Sequence, residues 1–437
     1  MNSLEDHVVT EENFLAYAGV CLDLAIKLPE VHRKKHAFDT LIIPSRGAVP
    51  FFSGMIYASD KLRDIDEDCS SFYDDMGIQS TLAPLLPENS KVSEQGVYNK
   101  NVRVLLAPFT ADLNVERAFP GEDNDEYVKK TREYWARVTA AMFLPPDERG
   151  SNSFFKTFTK TVLRTIEKRP EVAELYELFP QINRTAIMDT VISGRAATDI
   201  LTSFEQLSRE RSNPNLVPYA FLIVDKNGTR MQPKFKTYLQ RQSEYNNGTV
   251  SFFNAGHIIS EDKGSSLLGM GAVVYPTVMK ASKEFECGGK EFFVGAGSWY
   301  PAYELGDSNI HNFREFMKTV YHAISYRFAK DFIGDGKKEL DAFKDSVGHY
   351  VAYAKQNRVF LNSDHLDLRT INLNPKYKPA DSYETKSFVG HIVFNEHDTQ
   401  SIVNSFWQFP DVFKKDNPLS PSSVARIGTQ SPFNPKK

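Results

Sequence analysis

The chain reads as an α/β protein: a mostly parallel sheet flanked by helices, with a helical insertion and an α+β C-terminal extension. Three observations carry that expectation. Short apolar runs at 38–43, 102–107, 185–188 and 219–224 have the length of strands and are bounded by turn chemistry. Longer stretches with apolar residues at helical spacing lie between them, and strands joined through helices become parallel neighbours. Finally, 437 residues with 41% hydrophobic and 25% charged side chains supply a large core under an ordinary surface.

Each element follows from its residues. Thr10 before Glu11 and Glu12 predicts a capped helix start, and Phe14, Ala18, Cys21, Leu22 and Ile26 recur at helical spacing until Pro29. The basic stretch 32–36 reads as exposed. Residues 38–43 predict a buried strand, 44–48 a tight loop and 49–62 a helix. The acidic, Ser-rich stretch 64–101 lacks a period and predicts loops with a hairpin. After the strand at 102–107, residues 125–179 turn helical. A strand at 185–188, a loop at 189–194 and a helix at 195–211 follow, then a strand at 219–224 closed by Asp225, Lys226, Asn227 and Gly228. Further on, β-like runs stand at 250–253, 272–275 and 291–294, with helices near 312–332 and 339–354. The expected organisation is a core over 1–245 with a helical insertion at about 113–180, an extension over 246–409, and a flexible tail at 410–437 rich in Pro, Ser and Lys.

Charge narrows the function classes. With 52 basic and 56 acidic side chains the net charge is -4, so no global field draws the chain onto a polyanion. A local exception is the cluster from Lys226 to Arg241, interleaved with Phe235 and Tyr238, which reads as a nucleic-acid surface or as one face of a solvated helix. The three cysteines, Cys21, Cys69 and Cys287, are odd in number and far apart, which excludes a disulfide framework and fits a reducing cytoplasm. The first ten residues carry no apolar leader, and no apolar stretch approaches the roughly 20 residues of a membrane span. His391, Glu396, His397 and Asp398 match no metal-ligand spacing, and the Gly-Met-Gly at 269–271 lacks a third glycine before a helix.

Two segments carry chemistry. At 186–197 an apolar strand delivers Asp189, and a loop bearing Thr190, Val191, Ile192, Ser193 and Gly194 leads into a helix that opens with Arg195, Ala196 and Ala197. Backbone N–H groups and the positive end of such a helix favour a phosphate, and the hydroxyls add donors. At 41–51 a strand runs through Pro44 into Ser45, Arg46, Gly47 and Ala48. Glycine lets the backbone approach a ligand, and the guanidinium offers permanently charged, planar donors to phosphate oxygens. Taken singly, the first segment also reads as a plain helix-capping turn and the second as a surface turn.

Together, and in this order, the two segments resemble the type I phosphoribosyltransferase family: a strand and loop for pyrophosphate, then a strand with two adjacent acids and a hydroxyl-bearing loop ending in Thr-Gly. Matching Ser193-Gly194 to that Thr-Gly puts Asp189 on the second acid and Met188 where the first belongs. The resemblance implies that the loop from Thr190 to Ala197 cradles the 5-phosphate of phosphoribosyl pyrophosphate or of a nucleoside monophosphate. It implies that Asp189 serves the ribose, that Ser45, Arg46 and Gly47 hold the pyrophosphate with Mg2+, and that Lys226 touches an acceptor base. The implied reaction transfers phosphoribose to a nitrogen acceptor. The competing class, favoured by Met188 and by the large additions, is a catalytically weak sensor, regulatory or assembly module that meets protein or nucleic acid. A homo-oligomer or a protein partner fits either class.

Overall fold

The computed structural model describes residues 9–44, 47–63, 65–78, 86–87, 100–106, 109, 124–145, 148, 181–244, 248–258, 275–280, 293–298 and 306–356. Six strands form one sheet: β1 (Thr40–Ile43), β2 (Met76–Ile78), β3 (Val102–Leu106), β4 (Thr185–Val191), β5 (Tyr219–Val224) and β6 (Val250–Asn254). Their order is β2-β3-β1-β4-β5-β6, and every pair is parallel. Eight α-helices accompany them: α1 (Glu11–Lys34), α2 (Ala48–Leu62), α3 (Glu67–Asp74), α4 (Asn124–Ala141), α5 (Arg195–Glu210), α6 (Pro233–Glu244), α7 (Gly306–Phe328) and α8 (Lys337–Gln356). Strands β7 (Tyr275–Lys280) and β8 (Phe293–Ser298) pair antiparallel as a separate hairpin.

The sheet separates two apolar layers, because successive side chains of a strand point to opposite faces. Leu41, Ile43, Ala186, Met188, Phe221 and Ile223 join the core formed with α1, α2, α3, α7 and α8. Val191, Ala220, Leu222 and Val224 join the opposite layer with Ala197 and Leu201 of α5 and Leu239 of α6. Strands β4 and β5 are buried at every position, as parallel strands covered on both faces must be. Helix α4, from the stretch expected as an insertion, packs on α5, where Arg132 donates to Asp199 at 2.7 Å. At the amino end of the sheet Asp39 ties three strands together. Its Oδ2 accepts from the amide and side chain of Asn183 at 2.8 and 2.9 Å and pairs with Arg103 at 3.3 Å.

The structure revises four local expectations. Helix α1 runs through Pro29 to Lys34, although a helical proline leaves the carbonyl four residues earlier without its donor. That carbonyl belongs to Ala25, and it accepts from the Tyr73 hydroxyl at 3.1 Å and the Cys69 thiol at 3.6 Å, both supplied by α3. The extension also makes His32 and His36 half-buried rather than exposed: His32 packs against Phe38 and Phe72, and His36 bonds the Thr185 carbonyl at 3.0 Å. Among the described residues of 64–101 the chain forms a helix and a parallel strand rather than loops, because Asp66 caps α3 through the Cys69 amide and Met76 and Ile78 are buried beside β3. The hairpin strands run on to Lys280 and Ser298, past the expected ends at 275 and 294.

Residues 151–180, the tail at 410–437, Cys287, the Gly-Met-Gly at 269–271 and the group from His391 to Asp398 lie outside the described residues. Among the described residues no helix is long and apolar enough to cross a membrane.

Tyr73→Phe removes the stronger donor to the Ala25 carbonyl and is expected to cost about 1–2 kcal/mol in urea unfolding. Pro29→Ala restores an intrahelical N–H to the same carbonyl, so the Tyr73→Phe penalty should shrink in that background. An undiminished penalty would show that Tyr73 stabilises α1 in some other way.

Candidate functional site

Strands β1 and β4 are neighbours, yet they send the chain to opposite faces. After β1 the chain enters α2, whose Ala48, Val49 and Phe51 belong to one core layer; after β4 it enters α5, whose Ala197 and Leu201 belong to the other. That divergence is the switch point of an open parallel sheet, where a crevice opens beyond the carboxyl ends of the strands. Both segments singled out from the sequence therefore flank this crevice.

The two helices that begin there differ in their caps from α1 and α3. Away from the crevice, α1 is capped by the Thr10 hydroxyl, which accepts from Asn13, and α3 by the Asp66 carboxylate, which accepts from Cys69. At the crevice the N-caps are Gly47 for α2 and Gly194 for α5, and neither carries a capping side chain. First-turn amides have no intrahelical acceptor, so a bound anion can take the place of the cap. Ser193 stands at the loop, where its hydroxyl accepts from the Arg195 amide at 3.4 Å.

Gly194 is required on two counts. Its φ is +82°, a left-handed conformation that side chains disfavour, and a Cβ there would meet the Phe235 Cβ at 3.0 Å. The loop is held against the start of α6 as well, because the Gln232 amide donates to the Ser193 carbonyl at 3.0 Å. Gly47, by contrast, has φ -62° and needs no such freedom.

The loop is shorter than its sequence suggests. Strand β4 continues through Asp189, Thr190 and Val191, which pair in register with Leu222, Ile223 and Val224, so the connection to α5 is Ile192, Ser193 and Gly194 alone. Asp189 thus lies inside the strand, 2% exposed, and its Oδ1 accepts from the Thr190 amide at 2.9 Å. Met188 is fully buried and belongs to the α1–α2–α7 layer, the face opposite Asp189. Arg195 opens α5 with its guanidinium 3.7 Å from Asp199, and Ala196 and Ala197 complete the first turn. Ser45 and Arg46 lie outside the described residues.

Lys226 sits at the end of β5, two strands from β1. It and Asn227 both adopt left-handed conformations, with φ of 47° and 56°. The pair is held by Asn254, whose side-chain oxygen accepts from the Asn227 amide at 3.0 Å, and by the Gly256 carbonyl, which accepts from the Lys226 amide. Beneath them lies Asp225, the residue that closes β5. It is fully buried; its Oδ1 accepts from Ile258 at 2.9 Å and lies 3.8 Å from His257 Nδ1, and its Oδ2 is 3.2 Å from Arg230. A carboxylate directly after an apolar strand was its only sequence signal, the same one that marked Asp189.

Other chemistries find little support. Burial pushes the Cys69 thiol up to about 12 and the Cys21 thiol higher still, so neither is a thiolate nucleophile at neutral pH. Among the described residues no cluster of three or more His, Cys, Asp or Glu side chains is placed to hold a metal. Comparison of the chain with protein-family models, with curated proteins and with solved structures finds no match.

Gly194→Ala should destabilise the fold by roughly 1–3 kcal/mol, since it adds a left-handed strain to a contact with Phe235. Thermal unfolding measures this; a stability within a few tenths of the parent would show that the loop relaxes and is not fixed by this glycine.

Proposed function

We propose that this chain is a phosphoribosyltransferase-like protein that binds phosphoribosyl pyrophosphate or a nucleoside 5-monophosphate in the crevice between the β1 and β4 loops. One observation carries the reading: adjacent strands deliver two helix N-termini to the switch point, and both are capped by glycine, without a side chain. Amides of the turn from Ile192 to Ala197, with the Ser193 hydroxyl, take the 5-phosphate. Ser45, Arg46 and Gly47 take the pyrophosphate, where a guanidinium gives charge-assisted bonds. Magnesium would enter as a counter-ion carried by the pyrophosphate oxygens.

In the transfer reaction a nitrogen acceptor bonds to C1 of the ribose as the C1–O bond to pyrophosphate breaks, and the acceptor gives up a proton. Positive charge on the ribose ring then calls for a carboxylate. Asp189 is the carboxylate that β4 offers for this, and Lys226 at the neighbouring strand end would serve the acceptor.

A second reading, a sensor or regulatory module with weak or absent turnover, is favoured by Met188. The position of the absent first acid points into an apolar layer, where an ionised carboxylate would be costly, and Asp189 itself is recessed in the strand. Binding is then expected to outlast turnover.

Titration calorimetry with magnesium tests both ligands. Arg46→Ala should weaken phosphoribosyl pyrophosphate more than a monophosphate, by roughly 1.5–3 kcal/mol. Asp189→Asn should abolish residual pyrophosphate release while changing monophosphate affinity by less than about tenfold. Absence of heat with either ligand would remove the proposal, and equal weakening of both by Arg46→Ala would remove the pyrophosphate assignment.

A further inference from the structure

The stretch from Lys226 to Arg241 forms a basic rim that the proposed ligand site uses only at Lys226. Lys226, Arg230, Lys234, Lys236 and Arg241 fall in a segment that contains no Asp or Glu from 226 to 243, on a chain whose net charge is -4. All but the half-buried Lys236 are exposed. Arg230 faces the buried Asp225 at 3.2 Å, whereas among the described residues Lys226, Lys234, Lys236 and Arg241 have no carboxylate partner.

We propose that this rim docks single-stranded nucleic acid by its phosphate backbone. Lys234, Thr237 and Arg241 stand at i, i+3 and i+7 on the outer side of α6, while Tyr238 turns inward to bond Glu205 of α5 at 2.9 Å. The helix is therefore fixed, and the Lys234 and Arg241 charges stand about 10 Å apart along its axis. The Lys234 ammonium lies over the half-buried Phe235 ring, 4.6 Å from its centre, which holds that charge in place on the helix.

A phosphate polymer fits better than an acidic protein because the rim is continuous with the α5 N-terminus, whose N-cap Gly194 brings no side chain between a phosphate and the helix end. The Gln232 amide, just before α6, donates to the Ser193 carbonyl. A single strand can place its terminal phosphate at that helix end, in a crevice between loops, while its backbone follows α6.

Fluorescence anisotropy with a labelled oligothymidylate of about twelve nucleotides tests this with the full chain. Binding is expected at about 50 mM salt, with log K falling against log salt at a slope of about -2 to -3, the value for three or four phosphates. The double variant Lys234→Glu/Arg241→Glu should bind at least about tenfold more weakly, with unchanged circular dichroism and unchanged monophosphate calorimetry. Absence of binding at low salt, or equal binding by the variant, would overturn the proposal. Displacement of the oligonucleotide by polyglutamate at equal charge concentration would overturn it in favour of an acidic protein partner. Loss of phosphoribosyl pyrophosphate binding alone, with oligonucleotide binding intact, would instead count against the proposed function.

Discussion

The opposite exits of β1 and β4 are the constraint on which the rest of this molecule depends. These two parallel neighbours send their helices over opposite faces, one joining the α1–α2–α7 layer and the other the α5–α6 layer. The divergence fixes where a ligand can approach backbone amides, and it also decides which residues of β4 face which core. Met188 and Asp189, adjacent in sequence, are separated by the whole thickness of the sheet for that reason.

Much of the remaining structure stabilises this arrangement from a distance. The Asp39 cluster pins the amino ends of β1, β3 and β4. Helix α3 supplies the donors that let α1 continue past its proline, and α1 in turn packs on α2, α7 and β6, with Tyr17 stacked on Phe51 of α2 at 3.7 Å.

The alternation of apolar runs with amphipathic stretches made the fold class legible, because both periods survive in long elements such as α1, β5 and α5. Both crevice loops were legible too, since glycine and hydroxyl residues between a strand and a helix are a local signal. What escaped was whatever depended on partners distant in sequence. Asp189 to Val191 look like loop residues, and only pairing with Leu222 to Val224 makes them strand. Pro29 looks like a helix end until Tyr73 arrives to satisfy Ala25. Asp225 resembles an ordinary turn residue, and its burial follows from contacts with Ile258 and Arg230 that no local pattern announces.

A crystal structure of the chain grown with phosphoribosyl pyrophosphate and magnesium tests the central claim most directly. The account predicts the 5-phosphate against the amides of Ile192 to Ala197, within hydrogen-bond distance of Ser193, and the pyrophosphate beside Gly47. A ligand seated elsewhere, or an α5 N-terminus that holds only solvent at saturating ligand, would contradict it.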